Sequence, residues 1–161
     1  MRYLALIVFV IGGCPAAAAG QTQTATLNAA FSGIAKLSLS AGSLTFPDAD
    51  PDAVPLVPST PPTVAITAKG RAVLNGAVTV TVLASDNLRS GVSTLPASLI
   101  TWTATGSGFV DGTLSATTPQ VVGTWIGSGV RNGTQSFFFS NLWSHATGTY
   151  TVTLMYTLSA A

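Results

Sequence analysis

From Leu27 the odd positions read Leu27, Ala29, Phe31, Gly33, Ala35, Leu37 and Leu39, and the even ones Asn28, Ala30, Ser32, Ile34, Lys36, Ser38 and Ser40. Neighbouring side chains on an extended chain point to opposite faces, so this alternation predicts strand with its odd positions turned toward a core. The run covers about thirteen residues, against five or six for an ordinary strand. Gly33 marks the place where a bend or bulge should divide it.

The same period recurs downstream. Leu44–Phe46 is a short strand signal, Thr63–Lys69 puts Val64, Ile66 and Ala68 on one face, and Ala77–Leu83 sets Val78, Val80 and Val82 against Thr79 and Thr81. Further β-prone runs are Leu99–Ala104, Gly112–Ala116, Val121–Ile126 and Thr134–Phe139. The last run, Gly148–Leu158, carries Tyr150, Val152, Leu154, Tyr156 and Leu158 on one face with threonines opposite. Asn75-Gly76 and Asn132-Gly133 are hairpin signals, because the tight hairpin turn needs positive φ at both central residues. Between Pro47 and Pro62 six prolines fall in sixteen residues, which excludes helix and central strand and predicts an extended loop. These signals predict one all-β domain, an Ig-like antiparallel β-sandwich of about eight to nine strands. A closed barrel is the alternative the same strands permit. A membrane barrel should carry aromatic girdles, whereas these strands end in Ser, Thr and Gly.

Composition narrows the class. Charged residues are 7% of the 161, against about 25% in ordinary soluble domains, and all five acids are Asp. A long helix or coiled coil lacks its charged residues here, and a net charge of +1 offers no basic surface for nucleic acid.

The first residues predict export. Met1-Arg2-Tyr3 precedes an apolar run from Leu4 to Ile11, and Ala17-Ala18-Ala19 fits a small-x-small cleavage site, so residues 1–19 read as a signal peptide and 20–161 as the mature domain. The run is too short to span a bilayer, leaving no transmembrane span in the mature chain. Ile11-Gly12-Gly13-Cys14 is also lipobox-like, which makes a lipoprotein acylated at Cys14 the minor alternative. Either route predicts a secreted or cell-surface protein. Once the signal is removed, five Lys/Arg face five Asp and no cysteine remains.

Two stretches carry a resemblance. Leu39-Ser-Ala-Gly-Ser-Leu-Thr-Phe46, followed by an acidic Pro-rich loop, resembles the opening of bacterial secreted β-sandwich families. Thr147-Gly-Thr-Tyr-Thr-Val-Thr-Leu-Met-Tyr-Thr-Leu158 resembles the closing strand of WxL cell-surface domains, with Tyr156 standing where that family has Trp, and that of pilin-like domains of the spore-coat-U type. The resemblance covers about forty residues and implies an Ig-like bacterial surface domain, polymeric in the pilin-like case, with no catalytic residue.

Candidate chemistry is sparse. Asp48, Asp50 and Asp52 alternate in one loop, a spacing that suits a weak Ca²⁺ site, since hard cations gather oxygens from a short segment; a solvated acidic turn is the plainer reading. The EF-hand pattern also needs a distal Glu, and the chain has none. His145 is the single histidine, no Gly-x-Ser-x-Gly elbow presents a nucleophile, and a metal site of several His or Cys is arithmetically excluded. No catalytic residue and no firm metal ligand is therefore expected. Trp102 and Trp125 read as core. Phe138, which must face away from Phe137 and Phe139, and Trp143 form a candidate exposed platform for sugar rings or a neighbouring subunit. Leu27, Ala29 and Phe31 have the pattern of a donor strand that completes a neighbour's sheet, with Gln21–Thr24 as a flexible lead; an ordinary first strand is the simpler reading. The expected partners are further copies of the chain or a cell-surface glycan.

Overall fold

Period-two patterning does produce an all-β chain. A computed structural model describes residues Thr26–Ala161; the signal peptide, Cys14 and the Gln21–Thr24 lead lie outside the described residues. The strands are β1 (Ile34–Leu39), β2 (Leu56–Pro58), β3 (Val64–Arg71), β4 (Ala77–Ala84), β5 (Leu88–Ser90), β6 (Ser93–Leu95), β7 (Ile100–Thr105), β8 (Gly112–Thr113), β9 (Gln120–Ile126), β10 (Gly129–Ser140) and β11 (Leu154–Ala160).

All pairings are antiparallel and neither large sheet closes on itself. One sheet runs β1-β3-β10-β7-β8 with β2 also paired to β10; a second runs β11-β4-β9; β5 and β6 form a separate pair. The organising strand is β10. Its first half pairs with β3 from Gly129 to Gln135, its last residues pair with β2, and its other edge carries β7.

Alternate residues of both large sheets meet in one core. Val64, Ile66 and Ala68 of β3 and Val78, Val80 and Val82 of β4 are all buried in it, together with Trp102 of β7 and Phe137 of β10. Fully burying one such aliphatic side chain stabilises by about 1.5–3 kcal/mol. On β9 the alternation breaks at a register shift between Val80 and Thr81 of its partner β4. The irregularity buries both Val122 and Gly123, then returns Trp125 to the core.

Several expectations are corrected. Eleven strands, not eight or nine, lie among the described residues, because three-residue strands such as β5 and β6 are too short to show a period. Residues 27–33 are not strand, and β1 begins just after Gly33. The Pro-rich loop contains β2, which pairs only with β10, and Val57 within it is buried. The final strand starts at Leu154 rather than Gly148; Thr151 makes an isolated bridge to Arg89 before it.

Neither Asn-Gly pair makes a hairpin. Asn75 does turn the chain, with φ 62°, yet β3 and β4 lie in different sheets, so the turn carries the chain across the core. Asn132-Gly133 lies within continuous β10, where Asn132 Oδ1 accepts a hydrogen bond from Thr67 Oγ1 at 3.0 Å. Gly133 is there for space. A Cβ at this position would stand 2.5 Å from Phe109 Cδ2 and 2.6 Å from Thr105 O. Gly133→Ala should therefore overpack the core and lower unfolding free energy by about 1–3 kcal/mol in urea melts. Gly42→Ala, with nothing within 4 Å, should change it little; equal effects would contradict the close-approach role.

Candidate functional site

Two regions bring chemistry-bearing side chains together. The first lies where β10 ends. Asn141 follows β10, and its Nδ2 donates to Ala49 O (2.9 Å) and Val54 O (3.4 Å), so this amide clamps the acidic loop against the end of the sheet. Within the loop Asp52 N donates to Asp50 Oδ1 at 2.9 Å, the turn that Asp favours beside Pro. Trp143 Nε1 donates to Asp52 Oδ1 at 3.1 Å, which holds the indole while leaving it 71% exposed. His145 is half-buried and packs on Phe139 with ring centroids 5.5 Å apart, and Phe139 in turn packs on Phe46 at 5.8 Å. Leu142 N donates to His145 Nδ1, so His145 serves the turn.

The sequence-derived candidates divide as follows. Asp48, Asp50 and Asp52 are exposed, and two of the three carboxylates have separate partners. Among the described residues no group of three His, Cys, Asp or Glu side chains could hold a metal ion. Phe138 is half-buried on the face opposite Phe137, across from Thr101 and Pro58. The structure ties Trp143 to Asp52, and no ring contact joins it to Phe138 among the described residues. Trp102 is 1% exposed and donates through Nε1 to Val110 O at 2.9 Å. Trp125 is buried against Phe109. Leu27 is 94% exposed and Phe31 76%, outside any strand.

The second region is β11, an edge strand paired only with β4. Leu154, Tyr156 and Leu158 face the core and are half-buried, and no charge or proline lies between Leu154 and Ala160. The other edge on this side, β1, carries Lys36 at its centre, a residue type that discourages edge pairing. Below β11 lies a polar link between the sheets that sequence reasoning missed. Tyr156 OH donates to Gln135 Oε1 at 2.6 Å, and Gln135 is completely buried with its Nε2 unpartnered. Gln135 sits two residues before the Phe137–Phe139 run of β10, and its inward parity with Phe137 was the available signal.

No protein-family model matches the chain, and no curated protein matches it.

Burial pushes the Tyr156 phenol well above its ordinary range. The unfolded chain ionises near pH 10 while the fold retains the proton to higher pH. This stabilisation is complete below about pH 10 and is lost as pH rises further. Tyr156→Phe should flatten the alkaline loss and, by orphaning Gln135 Oε1, lower stability near neutrality by about 1–3 kcal/mol. Urea melts from pH 7 to 11 measure both; an unchanged alkaline slope would count against the assignment.

Proposed function

We propose that the chain is a secreted, non-enzymatic structural protein of the bacterial cell surface. In this reading it is an Ig-like β-sandwich that assembles with further copies into a filament or coat by β-strand pairing. The observation that carries this is β11: a seven-residue strand hydrogen-bonded only to β4, with no charge or proline, whose inward apolar residues are only partly buried. An added strand would bury Leu154, Tyr156 and Leu158 and satisfy the free edge groups. Leu27, Ala29 and Phe31 supply a strand-patterned segment that forms no strand in its own chain. The export signal and the resemblance to bacterial surface domains favour the same reading.

Guarding the edge tests it. Met155→Lys with Thr157→Lys, both at exposed positions, should abolish high-mass species in light scattering and unboiled gels while leaving circular dichroism unchanged. Unmodified protein that stays monomeric at millimolar concentration would refute assembly.

A second reading is a carbohydrate-binding module, favoured by the oriented indole of Trp143 beside carboxylates that can accept sugar hydroxyl protons. Trp143→Ala should then reduce retention on cell-wall glycan at least tenfold. Absence of retention by the unmodified protein ends this reading.

A further inference from the structure

The ten side-chain charges of the described residues are sorted along the strands. Antiparallel register places Arg71 opposite Ile34, and Lys69 opposite both Lys36 on β1 and Val130 on β10. Lys36, Lys69 and Arg71 therefore share the outer face at the end of the sheet where β10 begins. Arg131 lies at the same end, its guanidinium 5.9 Å from the centre of the Trp125 ring. Like charges directly opposite on neighbouring strands are destabilising, and no salt bridge relieves Lys36 or Lys69 among the described residues.

The three carboxylates of Asp48, Asp50 and Asp52 lie at the other end, clamped by Asn141 just past β10. From Val130 to Asn141 the extended chain spans eleven residues at about 3.3 Å each, so the poles are roughly 35 Å apart. That is several Debye lengths at physiological salt, so neither pole neutralises the other within one molecule. Asp86 and Arg89 cancel as an ion pair at 2.7 Å, and Asp111 sits at mid-length, bonded to Ala104 N. The chain is nearly neutral in total and strongly polar in layout.

The cationic pole is also apolar. Phe31, Ile34, Val73, Leu74, Ile126 and Val130 are all exposed there, with Leu74 at 92%. Phe31 lies under the Arg71 guanidinium at 5.1 Å. Large exposed apolar groups among unpaired cations mark an interaction surface. At the acidic pole the exposed apolar side chains are Leu56, Leu142 and Trp143.

We infer that a second copy of this chain docks head to tail on the cationic pole, presenting its Asp48–Asp52 loop and Trp143 to Lys36, Lys69, Arg71 and the apolar residues around them. This rests on the self-assembly reading and gives it a direction. A contact between two different surfaces of one molecule repeats without limit unless it closes into a ring, which is the geometry of a filament. The poles also suit strand pairing. The chain enters β1 at the cationic pole, whereas β11 begins, at Leu154 opposite Ala84, toward the acidic one. A segment reaching from one copy into the next across this junction would run antiparallel to β11.

The test uses two charge-reversed variants of the full chain. Lys36→Asp with Lys69→Asp and Arg71→Asp makes both poles negative, and Asp48→Lys with Asp50→Lys and Asp52→Lys makes both positive. Each alone should sediment as a monomer, whereas an equimolar mixture should regain high-mass species. In the unmodified protein, raising NaCl from 50 to 500 mM should weaken association severalfold, a readout that needs no variant to fold. If either variant assembles alone like the unmodified chain, or if salt has no effect, polar docking is overturned while assembly stands. If the unmodified chain never assembles, both readings fall. Binding of the cationic pole to anionic phosphatidylglycerol vesicles without self-association would also overturn the inference, by naming a lipid surface as its occupant.

Discussion

Everything else in this structure depends on the dry contact between the inward faces of β3 and β4. Val64, Ile66 and Ala68 meet Val78, Val80 and Val82 across the two sheets. The described chain has no cysteine to staple it, and its ion pair is exposed, where such pairs contribute at most about 1 kcal/mol. Apolar burial therefore carries the fold, and small residues keep the sheets close. At Gly70 a Cβ would stand 2.7 Å from Val78 Cγ1, and at Gly133 it would meet Phe109. A part-buried polar link, Tyr156 to Gln135, ties the edge of one sheet to the middle of the other.

Where a strand is long and buried on one side, its period is legible in the sequence. β3, β4, β7 and the inward positions of β11 stand where alternation puts them. Turns were legible as turns but not as connections. Asn75-Gly76 bends the chain, yet only the packing of two separate sheets shows that it crosses the core. Asn132-Gly133 has the same letters, and Phe109, more than twenty residues away in sequence, claims the space that makes Gly133 necessary. The acidic loop was visible as a run of Asp; its bond to Trp143 spans 91 residues and has no local signal. The grouping of Lys36, Lys69 and Arg71 is likewise a property of register, invisible until β1 is paired with β3.

Low charge has two separate consequences. Along the strands it leaves β11 without the lysine that β1 has at its centre, so the two edges on one side of the molecule differ in their tolerance of a neighbour. Between the strand ends, the few charges that remain are segregated, so that a nearly neutral protein still has a direction. The two features are physically independent, one resting on unsatisfied backbone groups and the other on long-range fields. Both are nevertheless laid out along the same strand direction.

The central place of β10 also bears on when the fold can form. Residues 129–140 pair with β2, β3 and β7, and β11 returns to β4 over a separation of some seventy residues. Contacts so distant in sequence must close large loops before they stabilise anything, which makes folding slow and leaves early strands waiting for late ones. A ribosome delivers the amino-terminal strands first, and none of the larger sheet can be completed until β10 has emerged. The larger sheet therefore cannot be finished until most of the chain has been made. Late completion is thus a property of the topology itself, set by where β10 falls in the chain.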